Sequence, residues 1–380
     1  MKKTVILLIS LILIPTNVMA KEELIPNAVS GILIEANSGK IIYEKDIHKK
    51  VSIASMTKMV AQIIILDEIN KGKIKWTDIV TVSKNASEMG GSQIYLEEGE
   101  KITVEDLMKG ISVASGNDAT VAIAEYISGS EEKFVKKMNN KVKELGLKNT
   151  NFKNCTGLDE DNHYSTSYDM AMIAKDLVIN HPEILKFSSI YEDYLREDSD
   201  SKFWLVNTNK LISQYEGTDG LKTGHTDAAG YCLAATTKRN DLRLIAIVLG
   251  EKDSKVRNNE TIKLLDYGFN NIKLNKLKSK GDIIKNIKLN KADKSNINIV
   301  LKDNLNVIED KDIKNNYKYK IKLSEVKLPI KKNTIVGKVK VLSNNKAISS
   351  TDLIVLEDIN KLKLIDLIQN NIISLIYGEL

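Results

Sequence analysis

Hydrophobic and polar positions fall into four successive patterns along the chain. From Thr4 to Pro15 the sequence is almost unbroken apolar, preceded by Lys2 and Lys3 and followed by Val18-Met19-Ala20 and the polar Lys21-Glu22-Glu23. A basic end, an apolar core and a small-residue cleavage site describe an export signal, so residues 1–20 are expected to be removed. The alternative is an uncleaved anchor helix, for which the apolar core is short against a hydrocarbon layer of about 30 Å. Residues 28–44 read as a hairpin, with Val29 to Ala36 extended, Asn37-Ser38-Gly39 turning and Lys40 to Tyr43 returning. From Ser55 the period changes. Met56, Met59, Val60, Ile63, Ile64 and Asp67 recur at helical spacing with polar residues between them, which predicts a helix with one apolar face. Thr103-Val104-Glu105-Asp106 has the form of a helix start. Further helices are expected from Asp118 to Tyr126 and from about Tyr168 to Val178, then strands at Leu221–Gly224, Gly230–Thr237 and Leu242–Leu249.

Near Asn270 short polar–apolar alternation takes over, as in Ile335-Val336-Gly337-Lys338-Val339-Lys340-Val341, and residues 271–360 read as an all-β module. In the last segment, Leu364, Ile365, Leu367, Ile368, Ile372, Leu375 and Ile376 share one broad helical face, with Lys363, Asp366, Asn370 and Ser374 opposite. It is too polar to span a bilayer. It either lies in the membrane interface or docks on the β module. The expected organisation is therefore a signal at 1–20, a main body at 21–270, a β-sandwich at 271–360 and an amphipathic helix at 361–380.

Charge sharpens this division. Residues 271–360 hold 20 Lys against 10 acidic residues, whereas residues 21–270 are net negative, within a total of +6. A basic module on an acidic body suggests a surface that faces something anionic, such as lipid headgroups or wall polymers; a solvated lysine face is the alternative. With 5 % aromatic residues and no long basic arm, single-stranded nucleic acid is not an expected partner. The two cysteines, Cys155 and Cys232, exclude a disulfide framework and are expected as free thiols. The histidines His48, His163, His181 and His225 are scattered and form no H-E-x-x-H, so no metal or other cofactor is expected.

The remaining chemistry is nucleophilic. A serine hydroxyl needs a base, and a lysine three residues further along a helix lies on the same face. A desolvated lysine becomes neutral and can accept the proton. Such pairs occur four times: Ser55/Lys58, Ser130/Lys133, Ser324/Lys327 and Ser343/Lys346. Context separates them. Two lie in the β module and one in a charged stretch, while Ser55 alone opens an apolar helix, where the helix dipole favours developing negative charge. Two further groups follow in order, Ser115-Gly116-Asn117 in a loop between helices and Lys222-Thr223-Gly224 on a strand.

This ordered set, Ser55-Met56-Thr57-Lys58, Ser115-Gly116-Asn117 and Lys222-Thr223-Gly224, resembles the active-site serine penicillin-binding proteins and related β-lactamases. Gly157-Leu158-Asp159, His163-Tyr164-Ser165-Thr166, Asp169-Met170-Ala171, Asp219-Gly220-Leu221 and Ala229-Gly230-Tyr231 narrow the resemblance to the low-molecular-mass D-alanyl-D-alanine carboxypeptidases. Leu328-Pro329-Ile330-Lys331-Lys332 with Val336-Gly337 resembles the C-terminal β-domain of that family. The resemblance implies an α+β transpeptidase-like domain, an antiparallel sheet flanked by helices, followed by a small all-β domain. It implies removal of the terminal D-alanine from peptidoglycan stem peptides and covalent binding of β-lactam antibiotics.

In that scheme Ser55 attacks the penultimate carbonyl, Lys58 is the general base and Ser115 relays a proton to the leaving D-alanine. Asn117 holds the substrate amide, Lys222 keeps the potential positive, Thr223 contacts the terminal carboxylate and Gly224 admits the substrate backbone. The backbone amides of Ser55 and His225 form the oxyanion hole, so His225 is positional, and His163 is a loop anchor. Arg257 either approaches the substrate carboxylate or makes a surface ion pair with Glu260. Two alternatives remain: a β-lactamase, for which Glu160 occupies roughly the region of a hydrolytic base, and a catalytically silent peptidoglycan-binding or sensor protein.

Overall fold

The computed structural model describes residues 23–289, 292–294, 296–311 and 316–362. The expected export signal lies outside them, as does the amphipathic segment beyond Leu362; Lys361 itself forms a β-bridge with Ala292. The main body is built on five antiparallel strands: β1 (Ser30–Glu35), β2 (Ile41–Lys45), β3 (Thr218–Thr226), β4 (Gly230–Arg239) and β5 (Leu242–Glu251). Their spatial order is β2-β1-β5-β4-β3, which leaves β3 at an edge. The early hairpin and the late meander meet where β1 pairs with β5, Ile32 opposite Ile247. The sheet is covered on both sides, so β5 reads as nearly continuous apolar sequence. Its Ile245, Ile247 and Leu249 enter one core, and its Leu244, Ala246 and Val248 enter the other.

The first core lies under α1 (Lys58–Asn70), α2 (Val104–Val113), α3 (Asn117–Ser128), α4 (Glu131–Glu144) and α5 (Ser167–Asn180); the second lies under α6 (Ser254–Asn271). Helix α1 departs from the one-sided helix expected from its period. Every residue from Lys58 to Leu66 is buried, because α3, α4 and α5 all pack around it. A helix apolar on all sides belongs inside a domain. Helix α2 begins as its sequence indicated, with Thr103 Oγ1 accepting from the Asp106 amide at 3.0 Å. Helices α4 and α6 were not legible because charge hides their apolar stripes. In α4 that stripe is Phe134, Val135, Met138 and Val142. Ser130 is the cap of α4, its hydroxyl accepting from the Lys133 amide, so this pair is structural.

Beyond α6 the described chain is all β: β6 (Ile272–Lys278), β7 (Ile283–Lys288), β8 (Asn296–Leu301), β9 (Leu305–Asp310), β10 (Lys318–Leu323), β11 (Ile335–Ser343) and β12 (Lys346–Ile354). Five of these form a sheet in the order β7-β8-β12-β11-β10, while β6 pairs with β9. A third core lies between them, with Ile297, Ile299, Leu301, Val339, Val341 and Leu353 inside. Among the described residues, no helix is long and apolar enough to cross a membrane. Cys155 and Cys232 are free and buried.

Two packing details have measurable consequences. The loop at 153–162 presses on the turn before α1: Gly157 has φ +88°, and a Cβ there would lie 1.9 Å from the Ala54 carbonyl oxygen. Both the backbone angle and the space demand glycine. Separately, Glu251 at the end of β5 lies against Glu260 of α6. Asn27 donates to Glu260 Oε1 at 2.6 Å, but neither oxygen of Glu251 has a donor among the described residues. Burial first, then the shared contact with Glu260, pushes the Glu251 carboxyl up to about 8.

Gly157→Ala should cost about 2 kcal/mol or more of stability, read by chemical denaturation, and equal midpoints for the two proteins would contradict this packing. Because the folded Glu251 holds its proton more tightly than the unfolded one, stability should fall as pH rises from about 4.5 towards about 8. Glu251→Gln should flatten that slope in melting temperatures measured across this range.

Candidate active site

Ser55 lies in a single tight turn, Ala54–Thr57, that leads directly into α1. Ala54 is buried with φ +47°, an unfavourable conformation for a residue with a Cβ, and it is held there by the packing of Gly157 and Gly224. One helical turn on, Lys58 is fully buried. Its amine bonds to Ser55 Oγ at 2.9 Å, Asn117 Oδ1 at 2.6 Å and the Thr156 carbonyl at 2.8 Å. All three partners are uncharged oxygens. Burial without a carboxylate partner lowers the amine to about 7, against weaker raising effects of Cys155 and Asp118. A neutral amine has a lone pair to offer, and the Ser55 hydroxyl is within reach of it.

Ser115 lies in the short connection between α2 and α3, buried and with φ +65°. Asn117 is the first residue of α3. Its side chain accepts from Lys58 through Oδ1 and donates to the Gly90 carbonyl at 2.6 Å through Nδ2, which leaves one N–H uncommitted among the described residues. Asp118 is pinned beside it, accepting from the amides of Ile94, Leu96 and Ala119. These contacts fix the loop around 90–96 against α3; the sequence reading did not find them.

On the edge strand β3, Lys222 is buried and donates to the Thr223 carbonyl at 2.9 Å. Burial first, then the charges of Lys58 and Arg257, hold its amine well below the usual lysine range. The Thr223 hydroxyl donates to Thr208 Oγ1 at 2.7 Å. A Cβ on Gly224 would lie 2.6 Å from the Ile53 carbonyl and 3.2 Å from the Met56 amide. The close neighbour that Gly224 admits is thus the protein's own Ser55 turn, a packing role that the expected substrate approach did not include. His225 is exposed and stacked on Tyr231, ring centres 4.0 Å apart. The start of β3 is held by Arg243, whose guanidinium grips both oxygens of Asp219 at 2.7 Å. At its end, the Thr226 hydroxyl bonds Asp159 at 2.8 Å and joins the strand to the 153–162 loop.

Arg257 is neither at the surface nor paired with Glu260. It is buried, donates to Asn258 Oδ1 at 2.8 Å and reaches the Cys232 carbonyl at 3.5 Å, while Glu260 takes Asn27 instead. Lys58, Lys222 and Arg257 therefore form a cluster of basic groups in which no member has an ion-paired carboxylate among the described residues. Such a cluster suits an incoming carboxylate. His163 accepts from the Lys153 amide through Nδ1, so Nε2 carries the proton given to Thr57 Oγ1 at 2.8 Å. Burial lowers it to about 4, and it anchors the loop as a neutral ring. Glu160 is exposed and bound to Asn154 Nδ2.

Comparison with known proteins adds independent information. Residues 17–253 match the family model of the D-alanyl-D-alanine carboxypeptidases, and residues 273–361 match that of the penicillin-binding protein 5 C-terminal domain. The chain is 45% identical over 341 residues to D-alanyl-D-alanine carboxypeptidase DacF of Bacillus subtilis, covering 89% of this chain and 87% of that one. It is 36% identical to DacA of Escherichia coli over 344 residues, 88% of this chain and 84% of that one. Penicillin-binding protein 5 of Haemophilus influenzae superposes with a TM-score of 0.72 at 33% identity, covering 88% and 98% of the two chains. Penicillin-binding protein 3 of Streptococcus pneumoniae does so with 0.76 at 26%, covering 88% and 99%. With its ordered motifs, its fold and these relatives, the chain belongs to the D-alanyl-D-alanine carboxypeptidase family.

Proposed function

We infer that the Ser55 turn performs the chemistry of this family. The chain is a serine-type D-alanyl-D-alanine carboxypeptidase: it removes the terminal D-alanine from peptidoglycan stem peptides, and it binds penicillin. The observation that carries the assignment of residues is the buried Lys58 amine, 2.9 Å from Ser55 Oγ and without a counter-charge.

Ser55 Oγ attacks the penultimate carbonyl carbon while its proton passes to the neutral Lys58 amine. The tetrahedral oxyanion is held by the backbone amides of Ser55 and His225. The C–N bond then breaks, and the proton returns through Ser115 to the departing nitrogen of D-alanine. Water attacks the Ser55 ester and releases the shortened peptide. The terminal carboxylate is received by Thr223 together with Lys222 and Arg257. Its arrival raises the affinity of Lys222 for a proton, so the positive potential is completed by the substrate itself. The free N–H of Asn117 supports the substrate amide.

Residues 21–270 are the catalytic domain in this reading and 271–360 an accessory β-domain. Residues 1–20 direct export, which places the enzyme where its wall substrate is. The basic β-domain faces an anionic part of the envelope, and the amphipathic segment beyond Leu362 rests on the membrane surface. The exposed Glu160, bonded to Asn154, gives no support to a β-lactamase reading.

Ser55→Ala should abolish labelling by a fluorescent penicillin and reduce D-alanine release by about three orders of magnitude or more; an adduct that survives the substitution would remove Ser55 from its role. Acylation by penicillin should rise with pH, with a midpoint near the Lys58 value of about 7, because only the neutral amine accepts the proton. Lys58→Arg should bind substrate but lose acylation, since guanidinium does not deprotonate. A flat stopped-flow profile from acid to alkaline pH would exclude Lys58 as the base.

A further inference from the structure

The strongest unexplained feature lies far from Ser55 in sequence, in the antiparallel pair β10–β11. On this pair Lys320 stands directly opposite Lys340, and Lys322 directly opposite Lys338. The apolar positions between them, Val339 and Val341, point into the core, so all four lysines share the outward face, and all four are exposed. Like charges directly opposite on one face of a sheet repel each other. The next strand does little to relieve it. Lys338 has Asp352 of β12 at 3.4 Å, but Lys340 faces Ser350. Lys320, Lys322 and Lys340 make no ion pair among the described residues.

The array has a defined spacing. Neighbouring strands lie about 4.8 Å apart, and alternate residues of one strand about 7 Å apart. The four ammonium groups therefore spring from a compact two-by-two grid on one sheet face. The grid also continues into a cleft of about 1040 Å³. Lys338, Lys340, Ser350 and Lys280 line it together with Asn37 and Ser38 of the catalytic domain. Three acids also line this cleft. Asp352 is already paired with Lys338, Glu35 spends both oxygens on Asn37 and Ser38, and Asp303 is exposed. A flat leaflet reaches an open sheet face but does not enter a cleft between two domains. A single polymer strand does both.

We propose that the outward face of β10–β11, with the adjoining cleft, binds a polyanionic strand carrying repeated phosphate groups. The site would hold the enzyme along an anionic polymer of the wall while Ser55 works on neighbouring stem peptides. This rests on the reading of the basic β-domain as facing an anionic part of the envelope, and is independent of the assignment of Ser55.

The test uses the full chain and inorganic polyphosphate, with binding followed by fluorescence anisotropy across a salt series. Four phosphate contacts predict a slope of log affinity against log salt of about −3. Lys320→Gln combined with Lys340→Gln should weaken binding at least tenfold, bring the slope close to about −1.5 and leave D-alanine release unchanged. The same change at Lys285 and Lys288 on β7, at the far edge of the sheet, should leave affinity within twofold. A second arm replaces polyphosphate with vesicles that contain or lack phosphatidylglycerol. Binding to anionic vesicles alone, lost in the Lys320/Lys340 variant, would overturn the strand in favour of a leaflet. Polyphosphate binding that the variant retains would overturn the site while leaving a basic, anion-facing domain. Failure of the parent protein to bind either would overturn both readings.

Discussion

A positive charge cannot be buried cheaply without a counter-charge, and the active site depends on this. Lys58 is buried at the head of a central helix and, among the described residues, its amine bonds a hydroxyl, a carboxamide oxygen and a backbone carbonyl. The protein meets the desolvation cost by letting the amine give up its proton near neutral pH. The same enclosure that makes protonation costly makes the lone pair available, and Ser55 lies at hydrogen-bond distance from it. Packing and reactivity are thus one arrangement, not two.

That arrangement is held from several directions. The strained turn at Ala54 is wedged between Gly157 and Gly224, positions where any side chain would collide with backbone. The 153–162 loop supplies the Thr156 carbonyl, is anchored to Thr57 through neutral His163, and is tied to β3 through Asp159. The edge strand that carries Lys222 is fixed at its start by the Arg243 grip on Asp219. Each of these elements comes from a different part of the chain. The sheet that brings them together forms only when β5 joins the early hairpin to the late meander.

The basic groups fall into two settings. Near Ser55, Lys222 and Arg257 are buried, a setting that suits a single small anion. In the β-domain the lysines are exposed and arrayed on a sheet face, suited to a repeating partner rather than a single group. Burial separates these roles, since an exposed lysine is screened and adaptable while a buried one is specific and titratable.

Much of this was legible beforehand. The three motif groups, the opening hairpin, the late strands and the change to β structure near Asn270 all follow from local period and residue type. Where local signals conflicted with density of charge, they failed: α4 and α6 are helices whose apolar stripes are interrupted by lysine and glutamate. The one-sided face expected for α1 was also wrong, because a helix period does not say how many neighbours will surround it. The role of Gly224 was only half visible, as its close neighbour is a turn some 170 residues earlier in the chain. Sequence alone determined the three motif groups, their order and the family they point to, because these are set by functional groups and short spacing. Tertiary structure alone decided that Lys58 has no ion-paired carboxylate among the described residues, that Arg257 is buried away from Glu260 and that four lysines share one face, because burial and partnership are properties of distant segments brought together.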